Sequence, residues 1–329
     1  MLPTTMRTVE IREPGKPSVM EIGQRPLPDH AANQVLVKVV TAGVNGPDII
    51  QRQGFYPPPP GASDLMGLEI SGEVVAVGSE VSRWQIGDRL CALTNGGGYA
   101  EYVAIDADHC TAIPDNVSLE DAGGLCETYF TVWSNLFLDN RPHAGELMLV
   151  HGGAGGIGTT AIQLGSALNL RVFTTCSSEA NGKFCEDLGA DKAINYREED
   201  FVEIVREAGG ANLIVDIVGG DYIAKNLKAA APDARVVQLA FRTGSKVDVN
   251  LMPIMLKRLT LTGSTLRSRP PEFKARVAAD LEEKAWPLFG SGALKPLTHQ
   301  ILPMADVVAA HEMMEAATHR GKILLSMQD

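Results

Sequence analysis

The chain of 329 residues is short of positive charge, of cysteine and of long apolar runs, and each shortage removes a class of function. Twenty-nine Lys and Arg stand against 40 Asp and Glu, a formal net charge of −11. Neutralising a phosphate backbone needs a surplus of cations, so no nucleic-acid partner is expected. The five cysteines (Cys91, Cys110, Cys126, Cys176, Cys185) are widely spaced with no C-x-x-C among them. A disulfide framework or a Cys-rich zinc lobe is therefore not expected. The longest apolar stretches, such as 35–40 and 147–150, are strand-sized, so no membrane span is expected. His311-Glu312-Met313-Met314 begins like a zinc-protease helix, but Glu315 stands where the second His belongs. The first residues lack a basic-then-apolar export pattern, which makes a cytoplasmic location the expectation.

What is present reads as two textures. The composition, 45% hydrophobic and 21% charged, is that of a globular chain, and its length suggests two domains. From about residue 6 to 113, β-branched runs (34–43, 70–78, 88–93, 99–105) alternate with Gly-rich turns, the pattern of a small antiparallel barrel. After about residue 125 apolar strands alternate with helical stretches: strands at 147–151, 170–174, 211–218, 234–240 and 259–263, helices at 157–168 and 179–188. Such alternation marks a parallel sheet with helices on both faces. The last stretch, from 270, carries two helical patterns and one strand, 322–326, which is expected to rejoin the first domain.

Between the strand at 147–151 and the following helix lies His151-Gly152-Gly153-Ala154-Gly155-Gly156-Ile157-Gly158. A strand-to-helix turn without side chains lets a pyrophosphate approach backbone N–H groups at the positive end of the helix dipole. Gly153, Ala154, Gly155, Gly156 and Ile157 are the phosphate-contact candidates, and Gly158 is expected to serve helix–sheet packing. The next strand ends Thr174-Thr175-Cys176-Ser177-Ser178, without the carboxylate that an NAD enzyme uses to hold the ribose hydroxyls. Ser177 and Ser178 leave room for a 2′-phosphate, with Lys183, Tyr196 and Arg197 as candidates to hold it. Capping of the helix beginning near Glu179 is an equally good reading of the serines.

In this order, after a β-rich N-terminal part, Asn45-x-x-Asp48, Arg52-Gln-Gly-x-Tyr56, Gly67-Leu-Glu-x-Ser-Gly72, Gly87-Asp-Arg89, the Gly-rich loop, Leu188-Gly-Ala190, Asn195-Tyr196, Leu266-Arg-Ser-Arg269 and Gly321-Lys-Ile323 resemble the quinone oxidoreductases. These form the zinc-free, zeta-crystallin-like branch of the medium-chain dehydrogenase/reductase superfamily. The match looks nearest to the tumour-suppressor-inducible subgroup and covers nearly the whole chain. It implies an α/β fold: a GroES-like β-barrel catalytic domain (1–125 with 267–329) and a Rossmann doubly wound parallel-sheet domain (126–266) that binds NADP(H). The implied activity is transfer of hydride from the nicotinamide to a quinone in the interdomain cleft. Reduction of an enal or enone double bond is the alternative, since the same cofactor geometry serves both. A homodimer joined through the edge strand at 259–263 is implied as well.

Zinc members of the superfamily take ligands from Gly-His-Glu and from a Cys near the position of Val44; this chain has Gly67-Leu68-Glu69 and no Cys at 44–47, so no metal is expected. The resemblance places Asn45 and Thr131 beside the nicotinamide, with Leu239, Phe241, Ser264 and Leu266 approaching it. Asn45 followed by Gly46-Pro47-Asp48 also reads as a helix N-cap. Tyr56, on a loop stiffened by 57–60, is the candidate proton donor or else a wall of the substrate site. Cys126 reads better as a small buried hydrophobe than as a reactive thiol. Two departures stand out: Ala180 occupies the place of a Lys usual in the subgroup, and Gly155 that of a hydroxyl residue.

Overall fold

In the computed structural model, which describes residues 2–139 and 141–328, the chain divides into two compact units. One runs to Phe130 and resumes at Arg267; the other is Thr131–Leu266. The division falls inside the helix Cys126–Leu136, so the first turn of that helix, expected with the nucleotide-binding part, belongs with the β-rich unit. Among the described residues no helix is long and apolar enough to cross a membrane.

The β-rich unit is organised on one long strand, Gln34–Val44. Apart from Gln34 and Lys38 the strand is buried throughout, because its β-branched side chains pack on both faces. One edge pairs with Glu69–Val77. The other is shared end to end by Tyr102–Asp106 along residues 34–38 and by Lys322–Ser326 along residues 41–44. Arg89–Leu93 and Cys110–Ala112 extend the sheet on the far side of Glu69–Val77, all antiparallel. The C-terminal strand therefore rejoins the first unit as its apolar sequence suggests. A second strand, Thr298–Pro303, pairs parallel to it and escapes the sequence pattern, because it is an edge strand with mostly exposed side chains and no alternation to read. A core of Val35, Val37, Ile70, Val74, Leu90, Tyr99, Ile323 and Leu325 fills this unit.

The unit Thr131–Leu266 holds six parallel strands in the order Lys192–Asn195, Arg171–Cys176, Leu147–His151, Ala211–Asp216, Ala230–Gln238, Thr260–Gly263. The chain starts in the middle, winds out to one edge, then returns and winds to the other. That order creates a switch point between Leu147–His151 and Ala211–Asp216, where ligands of such sheets bind at the carboxyl ends of the strands. Both central strands are almost wholly buried, as their unbroken apolar runs require.

A polar string pins the strand ends beneath the Gly-rich turn. Asp216 accepts from Asn226 Nδ2 (2.9 Å), so Asn226 Oδ1 faces His151 Nε2 at 2.7 Å, and His151 Nδ1 lies 3.1 Å from Thr175 Oγ1. The direction of the Asn226 bond fixes the imidazole: Nε2 carries the proton and Nδ1 accepts from Thr175. Burial holds the His151 pKa below its ordinary value, so the ring stays neutral.

Candidate active site

The carboxyl edge of the parallel sheet gathers most of the residues singled out in the sequence. The helix Gly156–Ala167 starts at Gly155, which gives no side-chain cap, so its first-turn amides are left for an anion. Ala154, Gly155, Gly156 and Ile157 are partly accessible. Gly153 differs from expectation: it is buried, its N–H donates to Thr175 O (3.1 Å), and a Cβ there would meet Thr174 Oγ1 at 2.2 Å. Its glycine serves strand–turn packing, and its amide is already used within the protein. Gly158 is required by closeness too, since a Cβ would sit 2.3 Å from Gly152 O. At Gly155 the nearest atom would be 3.8 Å away, so a serine side chain would fit.

At the end of Arg171–Cys176, Ser178 caps the helix Glu179–Asp187 by accepting from Asn181 N (3.3 Å), while Ser177 Oγ accepts from Asn181 Nδ2 (3.3 Å). The capping reading is thus present in the structure, and both serines remain partly accessible. Tyr196, through N–H to Cys176 O (3.1 Å), and its exposed neighbour Arg197 flank the same strand end. Lys183 leans instead along its own helix toward Asp187 (3.4 Å). Leu239 donates its N–H to Asp216 O (2.8 Å), and Phe241 is half exposed beside Gly219. Ser264 Oγ donates to Asn135 Oδ1 (2.9 Å), whose Nδ2 donates to Thr131 O (2.8 Å), so Ser264 and Thr131 meet through one amide. Leu266 is buried. This edge has the amides, the accessible backbone and the carboxylate-free strand end that a phosphorylated dinucleotide requires.

The β-rich unit contains a buried polar frame. Asn45 is the N-cap residue of Gly46–Arg52, with Pro47 in the first turn and its N–H given to Asp48 Oδ2 (2.9 Å). Its side chain is committed elsewhere: Nδ2 donates to Glu69 Oε1 (2.9 Å), and Oδ1 accepts from Lys322 Nζ (2.5 Å). Lys322 also pairs with Glu69 at 2.6 Å, and Glu69 Oε2 accepts the Glu127 N–H (2.8 Å). Asp48 additionally accepts from Gly67 N (3.1 Å) and Tyr99 OH (3.3 Å); burial pushes its pKa up to about 6. Beyond Tyr99, His311 Nε2 lies at 3.3 Å and its Nδ1 accepts from Arg52 (3.0 Å), whose other nitrogen reaches Glu315. Burial and the Arg52 charge push His311 down to about 3, so it too is a neutral relay.

Tyr56 is half-buried, and burial raises its pKa above the ordinary phenol value. Arg267 holds the loop: its guanidinium lies 5.3 Å from the Tyr56 ring centre, donates to Tyr56 O (3.3 Å) and Gln51 Oε1 (2.9 Å), and grips Asn95 O (2.7 and 2.9 Å). Lys274 fastens Asn95 Oδ1 and Arg267 O from beneath. Cys126 is fully buried with its thiol pKa raised by burial, as a small hydrophobe would be.

Two family models match: the alcohol dehydrogenase GroES-like domain over residues 31–115 and the zinc-binding dehydrogenase over residues 156–283. The human quinone oxidoreductase is 30% identical over 97% of both chains. The chain belongs to the medium-chain dehydrogenase/reductase superfamily. Among solved structures, Escherichia coli quinone oxidoreductase complexed with NADPH is similar at 27% identity (TM-score 0.83, 97% of this chain and 99% of that one). The CurK enoyl reductase is similar at 25% (TM-score 0.85, 98% and 99%).

Zinc is implied by the description of one of these models, but the donor set of this dehydrogenase/reductase does not fit it. Leu68, in place of the ligating His, and Val44, at the end of the strand where the Cys is missing, are buried and carry no donor atom for a metal. Both Glu69 oxygens already accept from protein N–H groups. Among the described residues no three His, Cys, Asp or Glu side chains are grouped to hold a metal.

The sequence reading gave Lys322, Glu127, Arg267 and His311 no role. Their signal was a charged or polar residue set in an apolar stretch, as in Lys322-Ile-Leu-Leu and Cys126-Glu-Thr-Tyr-Phe. The loop geometry predicts a contrast between two glycines. Gly158→Ala forces the turn apart and should weaken dinucleotide binding about tenfold to a hundredfold, whereas Gly155→Ser should bind within a few-fold of the parent, both read by titration of nicotinamide fluorescence.

Proposed function

We propose that this protein is a metal-independent, NADPH-dependent reductase that delivers hydride to a quinone. The observation that carries the reading is the frame around Glu69: a buried Lys322–Glu69–Asn45 cluster adjoining Leu68, the residue that the sequence resemblance sets in place of a ligating His. Bound NADPH would supply the hydride from nicotinamide C4. The amides of Ala154, Gly156 and Ile157 would receive its pyrophosphate, the Gly155 N–H being turned to Gly152 O (3.3 Å); Ser177, Ser178, Tyr196 and Arg197 would hold its 2′-phosphate end, and the Thr131–Asn135–Ser264 group the nicotinamide end. Similarity to quinone oxidoreductases over nearly the whole chain supports the substrate class. Similarity to an enoyl reductase favours a second reading, reduction of an enone double bond. The five free, buried cysteines suit a reducing, cytoplasmic location.

Steady-state rates on a panel of quinones beside a panel of enals and enones separate the two readings. The first predicts kcat/KM for the best quinone at least about tenfold above that for any enone, a difference of about 1.4 kcal/mol in transition-state binding. A reversed ratio assigns the enoyl-reductase reading.

Cofactor choice balances two opposed features. No carboxylate ends the strand at Cys176, which favours NADPH; yet Ala180 is small and exposed, and Glu179 adds a negative charge in the first turn. NADPH should be preferred over NADH only modestly, and Ala180→Lys should sharpen the preference about tenfold, chiefly through the KM for NADPH. NADH favoured outright would mean that Glu179 holds the ribose hydroxyls.

The strand Thr260–Gly263 ends its sheet with its side chains exposed, and the segment just before it in the chain exposes Leu251, Met252, Met255 and Leu256. An apolar edge of this kind needs covering, and a second copy of the chain, strand to strand, is the occupant proposed. Light scattering at micromolar concentration should give twice the chain mass; a single-chain mass contradicts it.

A further inference from the structure

We propose that the Glu127 carboxyl supplies the proton that accompanies hydride delivery, an inference that rests on the reductase reading above and names its acid. Three carboxyls, those of Asp48, Glu69 and Glu127, share one charged neighbourhood of the β-rich unit with two cations, Lys322 and Arg267. Hydrogen-bond donors are divided unequally among them. Glu69 takes Lys322, Asn45 Nδ2 and the Glu127 N–H; Asp48 takes Asn45 N, Gly67 N and Tyr99 OH. Arg267 is spent on Asn95 O, Gln51 and Tyr56 O. Among the described residues no donor is directed at either side-chain oxygen of Glu127.

A partly buried carboxylate that has no protein donor and stands beside the Glu69 charge is costly, so the proton that balances the cluster resides on Glu127. Burial, and after it the charge of Glu69, pushes the Glu127 pKa up to about 8, against the pull of Lys322 and Arg267. The groups that face it are Glu69 from its strand, Asp48 from the helix Gly46–Arg52, Lys322 from the C-terminal strand, and Tyr56, Arg267 and Lys274. Glu127 nevertheless keeps part of its surface accessible, as a group that must meet a substrate and recover a proton from water does. Tyr56 feels the same carboxyl, and its phenol, raised by burial and by Glu127, is the poorer acid.

The step balances simply. Hydride, a proton and two electrons, reduces the quinone to the hydroquinone monoanion; the O–H bond of Glu127 breaks as a new O–H bond forms on that oxyanion. The carboxylate left behind is reprotonated by water. In the enone reading the same proton goes to the carbon next to the carbonyl.

Glu127→Gln keeps the backbone N–H on Glu69 and removes only the acid. In ligand-free protein, the infrared difference between wild type and Glu127→Gln should show a protonated carboxyl at pH 7 that converts to carboxylate as the pH passes about 8. Glu127→Gln should lower kcat at least about tenfold with dinucleotide affinity unchanged, while Tyr56→Phe loses less than about tenfold. The wild-type rate should be full below about pH 8 and fall above it, because the acid form carries the reaction, whereas the rate of the Gln variant stays low and flat. A carboxylate band at pH 7, or a Glu127→Gln enzyme that keeps both its rate and the alkaline limb, overturns the assignment. A wild type that shows the protonated band but reduces no quinone and no enone overturns the reductase reading instead, and the donor role with it.

Discussion

Lysine and glutamate side chains are rarely taken wholly out of water, and the pair formed by Lys322 and Glu69 is the constraint on which the β-rich unit is built. Glu69 is fully buried and Lys322 nearly so, at 2.6 Å. Each charge is tolerable only because the other is there, and because Asn45 and the Glu127 N–H satisfy what the ion pair leaves open. Four segments remote in sequence are thereby locked together: the cap of the helix Gly46–Arg52, the strand Glu69–Val77, the start of the helix Cys126–Leu136 and the strand Lys322–Ser326. Removing one partner would strand an unpaired charge at a cost of about 3 to 5 kcal/mol, so the frame forms as a whole or not at all.

From that frame the hydrogen bonds run in a set direction. Arg52 can only donate, so His311 must accept at Nδ1 and donate at Nε2; Tyr99 then donates its own O–H to Asp48. The line ends on a carboxylate that also receives two backbone amides, and none of its members has a free choice of tautomer. Glu127 stands outside this line and lacks donors of its own. The difference between it and Asp48 is one of solvation by protein dipoles, which is how one fold keeps two carboxyls in different protonation states at the same pH. In the parallel-sheet unit the Asp216–Asn226–His151–Thr175 string has a comparable effect beneath the Gly-rich turn, holding strand ends in register with a neutral imidazole.

The parallel sheet was legible because buried strands such as Leu147–His151 write continuous apolar runs and the Gly-rich turn punctuates them. The strand Thr298–Pro303 was not, since an exposed edge strand has no face to bury. Asn45 reads in the sequence as a residue beside the nicotinamide, by resemblance, or as a helix cap, by spacing; that its amide holds Glu69 and Lys322 depends on a strand 277 residues away, which no local pattern reports. Gly153 reads in the sequence as a phosphate contact, whereas in the structure its missing side chain makes room for Thr174; the letter is the same for either reason. Glu127 was the least legible of all. A lone Glu in an apolar helix is an anomaly in the sequence, and only the placement of donors around its neighbours shows which carboxyl keeps the proton.

In the proposed function protein dipoles and a buried ion pair take the place of a metal. Single-turnover oxidation of NADPH by a quinone, followed in protein stripped of metal and with deuterium at nicotinamide C4, tests it most directly. Metal-independent hydride transfer predicts full oxidation in one turnover, slowed by the deuterium in the transferred position, and unchanged when zinc is added back. Oxidation that fails in stripped protein and returns with stoichiometric zinc would contradict it.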